Sequence, residues 1–239
     1  MSDLIDTQVE EIVSSSIGFT VNLEEFCSGL KFVNEFIGKD KSRRILCGVN
    51  LTVKKINDEI ALRLTATDSY KLGGYFLKVA DPMHLEDEPS NNEYPITDLN
   101  NPRHFLLEDP KSVLKILESR KDLERVALFI TPSHNKIVVA TIDDQPDLIT
   151  VCNLISGEFP NVDNLIPKEE DFKAELPNGI NLGSDHLQKT INAFKKIKVA
   201  TVVLRFQGND LKPVFISPQS REDFEVEYPF GLLMPVRCS

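Results

Sequence analysis

The chain has 239 residues, of which 41% are hydrophobic, so it can bury a core of ordinary size and is not a wholly disordered protein. Its formal net charge of −10 excludes a protein coated in basic surface for nucleic acid. The charges are segregated, however: residues 81–98 include six acids and no lysine or arginine, whereas residues 188–198 include four lysines and no acid. Such segregation allows one basic face on an acidic protein.

The cysteines and histidines, four of each, are scattered along the chain. They show neither a CxxC pair nor metal-ligand spacing, so we expect reduced cysteines, no metal site and no cofactor. No apolar run approaches the length needed to cross a bilayer, and the N-terminus lacks a basic segment followed by an apolar one. These features predict a cytoplasmic protein that does not interact with membranes.

Three stretches of the chain share one plan, in which a short strand precedes an amphipathic helix and several further strands. Residues 1–16, which are acidic and rich in serine, precede them and indicate an N-terminal tail. In the first stretch, residues 17–80, Asn22 is a predicted helix N-cap with Glu25 three residues later. The predicted strands here are Ile17–Val21, Ile45–Val53, Ile60–Thr67 and Tyr75–Val79.

The second stretch, residues 104–155, has a predicted helix that is capped by Asp109 and carries Pro110 at its first position. Its predicted strands are His104–Leu107, Arg125–Thr131, Lys136–Thr141 and Leu148–Ile155.

The third stretch, residues 178–239, has a predicted helix that is capped by Ser184 or Asp185. Its predicted strands are Gly179–Leu182, Thr201–Phe206, Lys212–Ser217 and Phe224–Val236.

The repeated plan predicts an α+β fold, with short helices packed on one face of largely antiparallel sheets. Polar, turn-rich connections separate the stretches and mark the expected boundaries. We expect one complete domain at 17–155, built from half-units at 17–80 and 104–155, then a connector at 156–177 and a C-terminal half-domain at 178–239.

The apolar strand predicted near the end of the sequence is followed at once by Met234 and Pro235. Proline donates no backbone hydrogen bond and therefore ends a strand. We expect a strand that is held in a sheet, with Met234 and Pro235 at the surface. The alternative is an ordinary core strand.

Four segments, in the same order, resemble the bacterial-type DNA sliding clamp, the beta subunit of the replicative polymerase. They are Arg44–Leu51 with Leu64–Leu72, Ser156–Lys168, Lys212–Ile216 and Leu233–Arg237. The resemblance covers about residues 17–237 and implies the DNA clamp fold, which repeats strand-helix-strands half-units. Three half-units are recognisable here, whereas the family has six. Ser69, Tyr70 and Lys71 stand where the family tends to have Gly, His and Arg.

The resemblance also implies an apolar pocket for the short peptides with which polymerases and repair proteins dock. Such pockets are concave and preformed, and methionine suits them because its side chain repacks at little cost. For Leu46, Leu72 and Leu232, an ordinary core position is the alternative. The implied lining is Leu46, Thr67, Ser69, Tyr70, Lys71, Leu72, Pro160, Leu165, Val214, Leu232, Met234, Pro235 and Arg237.

A ring around DNA needs basic helical faces that contact phosphates weakly and without base specificity. Lysines on helices are otherwise typical of a solvated face, and the third helix is the best candidate because its lysines lie in a segment without acids. The candidate DNA-facing residues are Lys31, Lys39, Lys41, Arg43, Arg44, Lys111, Lys115, Arg120, Lys121, Lys189, Lys195, Lys196 and Lys198.

We therefore expect a non-enzymatic processivity factor that encircles duplex DNA as a homo-oligomeric ring. Its expected partners are double-stranded DNA, a DNA polymerase, other clamp-binding proteins, a clamp loader and further copies of itself. A ring of twelve half-units needs four subunits with three half-units each, or three subunits if a fourth half-unit is hidden. The alternative is an adaptor or decoy that binds clamp-binding peptides without encircling DNA.

Overall fold

The computed structural model describes residues 17–56, 59–83, 104–120, 122–131, 135–141, 148–172, 179–208, 211–218 and 228–236. The predicted tail at 1–16 and two of the predicted site residues, Lys121 and Arg237, lie outside them. Within the described ranges, no helix is long and apolar enough to cross a membrane.

The described residues form three α-helices among eleven strands, and the predicted α+β class with antiparallel sheets is confirmed. The helices are α1 (Leu23–Val33), α2 (Pro110–Glu118) and α3 (Ser184–Lys196). The strands are β1 (Ile17–Asn22), β2 (Val49–Ile56), β3 (Glu59–Thr67), β4 (Lys71–Met83), β5 (His104–Leu107), β6 (Arg125–Thr131), β7 (Lys136–Ala140), β8 (Leu148–Ile155), β9 (Val202–Arg205), β10 (Val214–Pro218) and β11 (Phe230–Leu233). Short 3-10 helices span Asn34–Phe36, Lys41–Leu46, Asp163–Leu165 and Glu169–Asp171.

Two predicted helix starts are confirmed by side-chain caps. The side chain of Asn22 accepts a hydrogen bond from the backbone of Glu25 at 3.0 Å, and that of Asp109 accepts one from the backbone of Ser112 at 3.2 Å. The predicted cap of α3 was wrong, because this helix starts directly after Gly183 without a side-chain cap.

Several predicted strands differ from the structure, and two of them are replaced in part or in whole by other structure. The strand predicted at Ile45–Val53 begins only at Val49, because Lys41–Leu46 is a 3-10 helix whose end is held by a hydrogen bond from the Gly38 amide to the Leu46 carbonyl at 2.8 Å. The strand predicted at Gly179–Leu182 is an irregular segment, in which the carbonyl of Asn181 accepts one hydrogen bond from the amide of Val236 at 2.8 Å.

The chain divides into two compact units. The first comprises Met1–Cys27, Asn50–Arg63 and Leu77–Gly157, and the second comprises Ser28–Val49, Leu64–Phe76 and Glu158–Ser239. The predicted half-unit at 104–155 lies wholly in the first unit. The predicted half-unit at 178–239 lies wholly in the second, and that at 17–80 is divided between the two.

The first unit holds a sheet whose order closes on itself. Its strands follow the order β1-β6-β7-β8-β5-β2-β3-β4, in which β3 and β4 contribute only in part because the division between the units runs through both, and β1 pairs with β4 as well. The β1–β6 pairing is antiparallel and unbroken, from Ile17 opposite Ile130 to Asn22 opposite Arg125. Each strand of this unit therefore has a hydrogen-bonded neighbour on both sides.

The second unit holds the order β3-β4-β11-β10-β9, so β9 has one neighbour among the described strands. Its helices meet through aromatic side chains, since the Phe32 ring lies edge-on to Phe194 with 5.0 Å between centroids. Phe36 fills the space over Gly73, where a Cβ atom would collide with its ring. This packing requires glycine at position 73, in the middle of a strand.

Candidate functional site

The second unit contains an open cavity of about 700 Å³, a size typical of ligand pockets. Nine of the thirteen residues predicted to form a peptide pocket line it. They are Leu46, Thr67, Ser69, Lys71, Leu72, Pro160, Leu165, Leu232 and Met234.

The remaining predicted pocket residues lie elsewhere. Val214 is fully buried in β10, opposite Leu233. Tyr70 is 58% exposed and lies outside the lining. Pro235 is half-buried directly after the lining residue Met234, and Arg237 is not among the described residues.

Six lining residues were missing from the predicted pocket. Arg43 and Arg44 were assigned to a DNA-facing surface instead, and Ile45 to a strand. The 3-10 helix at Lys41–Leu46 brings all three to the cavity, and its signal in the sequence is weak because Ile45 and Leu46 read as the start of an apolar strand. The six are Ser42, Arg43, Arg44, Ile45, Val162 and Pro213.

One wall of the cavity is the tight turn between β3 and β4. The carboxylate of Asp68 accepts hydrogen bonds from the amides of Tyr70 and Lys71, both at 3.0 Å. The Thr67 hydroxyl donates to the Lys71 carbonyl at 2.8 Å. Aspartate is favoured in such turns because its short side chain satisfies nearby backbone amides. The turn is therefore fixed by its own side chains.

Lys71 is a buried cation at the base of this turn. Its ammonium lies 2.8 Å from an Asp68 oxygen and 5.6 Å from the centre of the Phe36 ring. Burial lowers the pKa of Lys71 from its ordinary value, although the hydrogen bond and charge of Asp68 oppose this shift. At the cavity wall, the charge of Lys71 is thus neutralised by Asp68, and its methylene groups are buried.

Tyr70 stacks on a residue of α3 beside the cavity. The rings of Tyr70 and His186 are 5.2 Å apart and tilted by 25°. The Nδ1 atom of His186 is buried without a hydrogen bond and lies 3.8 Å from an Asp68 oxygen. Asp68 is therefore close to two side chains, with Lys71 at salt-bridge distance and His186 slightly beyond hydrogen-bond distance.

The segment after β11 lies beside the turn between β3 and β4. The Met234 amide donates to the Tyr70 carbonyl at 2.9 Å, and the Val236 amide donates to Asn181. Their side chains are 39% and 45% exposed, respectively. The expected strand is held in a sheet and Met234 is at the surface, as predicted, whereas Pro235 is half-buried and the strand ends at Leu233.

The candidate DNA-facing residues are distributed over both units. In α3, Lys195 and Lys196 are exposed, but the ammonium of Lys196 is paired with the carboxylate of Glu35. Lys198 is exposed with a left-handed φ of 61°, at the position after the helix where glycine is usual. Lys189 is half-buried.

The other candidate cations belong to several elements. Lys31 is half-buried in α1, and Arg120 lies 3.5 Å from a carboxylate oxygen of Asp122. The exposed ones are Lys39, Lys41, Arg43, Arg44, Lys111 and Lys115.

Solved structures share this architecture. The DNA polymerase III beta subunit of Thermotoga maritima superposes on 94% of this chain with a TM-score of 0.64 and 16% sequence identity. The chain has the fold of the bacterial DNA polymerase III beta sliding clamp. The match covers 66% of the Thermotoga chain, so the sequence spans about two thirds of that sliding clamp's length.

Other sliding clamps give the same result. The beta chain from Streptococcus pneumoniae has a TM-score of 0.64 at 15% identity, with 94% of this chain and 66% of that chain covered. The Bacillus subtilis clamp has a TM-score of 0.61 at 15% identity, with 93% and 64% covered. No protein-family model and no curated protein sequence matches the chain.

Proposed function

We propose that the protein is a DNA sliding clamp, a non-catalytic processivity factor that encircles duplex DNA as a homo-oligomeric ring. In this proposal the cavity of the second unit tethers a DNA polymerase and other clamp-binding proteins. The observation that carries it is the cavity itself, because nine residues that resemble the family's pocket, from separate parts of the sequence, surround one apolar space on a sliding-clamp fold.

The cavity has the features that short apolar peptides require. Leu46, Leu72 and Leu232 form a buried floor, whereas Leu165 and Met234 are 48% and 39% exposed at its edge. An incoming apolar side chain would remove these exposed groups from water, at roughly 25 cal/mol for each Å² buried. The Met234 thioether chain adapts to different peptides, as a factor with several partners needs.

Contact with DNA is the second part of the proposal. Sliding requires cations that attract phosphates without fixing a sequence register. Lys195 and Lys198 are exposed near the end of α3 and suit this role. Lys198 has a left-handed φ, which favours glycine, and backbone strain of this kind is often found at functional positions. The carboxylate of Glu35 is paired with Lys196 and weakens the attraction of this lysine for phosphates.

Ring formation is the third part. Each chain offers three half-units, so four copies would supply the twelve of a family-like ring. Closure needs a head-to-tail interface at which a neighbouring copy completes the half-domain at 178–239. The edge strand β9 suits such an interface, since it has one neighbour among the described strands.

A second candidate is an adaptor that binds clamp-binding peptides but never closes a ring. The observation that favours it is that all the residues lining the cavity belong to the second unit, so peptide binding needs no neighbouring copy. The two candidates share the cavity and differ in assembly.

Native mass separates the two candidates. Light scattering coupled to size exclusion should give a single trimer or tetramer for a clamp. A monomer over a wide concentration range would contradict the ring and favour the adaptor.

The role of the cavity is tested by Met234→Asp, which places a charge on its apolar edge. This variant should abolish stimulation of a bacterial DNA polymerase III and leave the native mass unchanged. Val151→Asp is the matched control, because Val151 is 42% exposed in the first unit and should tolerate the same change. Equal loss in both variants, or in neither, would contradict docking at the cavity.

A further inference from the structure

Tyr70 was expected in the lining of the cavity, but its side chain lies outside the lining. Both of its neighbours in sequence, Ser69 and Lys71, line the cavity. So does Met234, whose amide donates to the Tyr70 carbonyl at 2.9 Å. The side chain of Tyr70 therefore leaves the backbone at the rim of the cavity, but it points toward α3 and is 58% exposed.

The backbone of Tyr70 is held on both sides, whereas its side chain has one partner. The amide donates to the Asp68 carboxylate at 3.0 Å, and the carbonyl accepts from Met234. Within the described part of the chain, stacking on His186 is the one hydrogen-bond, ion-pair or ring contact of the side chain. Rotation about the side-chain torsions is thus the freedom that Tyr70 retains, and exposed side chains change rotamer within nanoseconds.

His186 is more firmly placed than the tyrosine that stacks on it. Its carbonyl accepts a hydrogen bond from the buried Thr190 hydroxyl at 2.9 Å, and its Nδ1 atom is buried beside Asp68. Gly183 leaves room for the imidazole, since a Cβ atom there would lie 2.9 Å from the Cδ2 atom of His186. The ring centroids of Tyr70 and His186 are 5.2 Å apart, and this stack favours the rotamer of Tyr70 that faces α3.

Another rotamer of Tyr70 would bring its ring over the cavity. There the ring would cover apolar groups at the edge, where Leu165 and Met234 are 48% and 39% exposed. Burial of apolar area favours this position, whereas the stack on His186 favours the other. The cavity is open as long as the stack outweighs the burial.

We propose that the Tyr70 side chain is a gate at the rim of the cavity and that His186 holds this gate open. The inference rests on the proposed peptide-docking function and concerns its regulation, because apolar ligands enter only those molecules in which Tyr70 is stacked on α3. The apparent affinity of the cavity is then reduced in proportion to the fraction of open molecules. His186 is a positioning residue that acts through Tyr70.

Nuclear Overhauser effects locate the gate without any ligand. In the unaltered protein, the ring protons of Tyr70 should give cross-peaks with those of His186. In His186→Ala, the tyrosine ring should give new cross-peaks with methyl groups of lining leucines such as Leu165 or Leu232. His186→Phe keeps an aromatic platform and should restore the original pattern. A Tyr70 ring that stays away from the leucines in His186→Ala would overturn the gate.

Binding of the neutral dye Nile red measures the effect on the cavity, and the part of the signal that Met234→Asp abolishes reports on this site. His186→Ala should weaken binding about two- to fivefold, because the loss of one aromatic pair shifts Tyr70 toward the closed position. His186→Phe should bind as the unaltered protein does. Gln188→Ala is the matched control, since it alters an exposed residue of the same helix and should leave binding unchanged.

Variants of Tyr70 separate a gate from a direct contact with the probe. Tyr70→Ala removes the gate, so it should bind the dye at least as tightly as the unaltered protein, and adding His186→Ala should change nothing further. Weaker binding by Tyr70→Ala, or an equal effect of His186→Ala with and without the tyrosine, would overturn the inference. A dye signal that Met234→Asp does not affect would contradict docking at the cavity itself, while the cross-peaks still decide the position of Tyr70.

Discussion

The two units differ in whether their strands have neighbours on both sides, their helices are capped and their apolar side chains are buried. In the first, the strand order closes on itself and α2 begins with the Asp109 cap and Pro110. In the second, β9 forms an edge, α3 begins without a side-chain cap, and exposed apolar side chains surround a cavity. Among the described residues, Ser69 and Lys198 of the second unit have a left-handed φ, and so does Asn135 of the first unit, where asparagine tolerates this region better than serine or lysine.

This difference indicates that the second unit contains more features that lower local stability. Sequences normally agree with their fold at every level, and departures concentrate at functional sites. The first unit shows this agreement, whereas the second departs from it at the cavity turn and at the end of the lysine-bearing helix. The second unit is therefore where binding should be altered most easily without loss of the fold.

The largest expected effect comes from the aromatic core of the second unit. Phe194 is 1% exposed, so Phe194→Ala should lower the free energy of unfolding by about 3–5 kcal/mol. Hydrogen exchange should then accelerate in β9–β11. Leu128→Ala, at a fully buried position of β6 in the first unit, is the matched variant, and it should accelerate exchange in β6 and β7 instead. Identical exchange patterns would contradict the division into two units.

The burial of Lys71 should make the free energy of unfolding depend on pH. Because the pKa of Lys71 is lowered in the folded state, the unfolded chain binds more protons between that pKa and the ordinary value of 10.5. Stability should therefore rise with pH in that window, relative to Lys71→Met, with a slope of at most about 1.4 kcal/mol per pH unit.

Urea unfolding of both proteins from pH 8 upward measures this difference. A difference that is constant or falls with pH would show that Lys71 is not a buried charge in the folded protein.

A smaller effect is expected at the end of α3. The Val199 amide bonds the Phe194 carbonyl at 3.0 Å, so Lys198 occupies the left-handed position where glycine is favoured. Lys198→Gly should stabilise the protein by about 1 kcal/mol, whereas Lys195→Gly, inside the helix, should destabilise it by a similar amount. Both remove one candidate DNA contact. Thermal unfolding and DNA affinity should thus move together for Lys195 and in opposite directions for Lys198.

The smallest effect concerns the cap of α2 in the first unit. Asp109→Ala should cost about 1 kcal/mol at neutral pH. Asp185→Ala should cost less, since Asp185 lies in the first turn of α3 and does not cap it. The hydrogen bond from the Ser112 hydroxyl lowers the pKa of Asp109 from its ordinary 3.8. The cost should therefore shrink as the pH falls below about 3.8 and through the folded-state pKa. A cost that is independent of pH would exclude the cap as its source.

The sequence predicted those parts of the fold that local chemistry determines. Asn22 and Asp109 start helices because their side chains satisfy the first backbone amides, and this requires no distant residue. The α+β class followed from the same periodic patterns. The predicted domain boundaries at 155 and 178 stay predictions, while the compact units divide the residues of 17–80 between them.

Parts that depend on distant packing were predicted less well. β4 was expected at Tyr75–Val79, but it starts at Lys71 and includes Gly73 and Gly74. Both glycines lie under aromatic rings, of Phe36 and Phe230, and those contacts are invisible along the sequence. The cavity was predicted largely through resemblance, and Arg43 was missed because a 3-10 helix turns it toward the lining.

The central claim, that the protein encircles DNA, is tested most directly by retention on linear duplex DNA. A duplex is tethered at one end, the protein threads on from the free end, and that end is then blocked with streptavidin. After a wash in about 0.5 M salt, which screens phosphate contacts, we predict that the protein remains on blocked DNA and is lost from unblocked DNA. Equal loss from both would show that no topological link exists and would contradict the clamp.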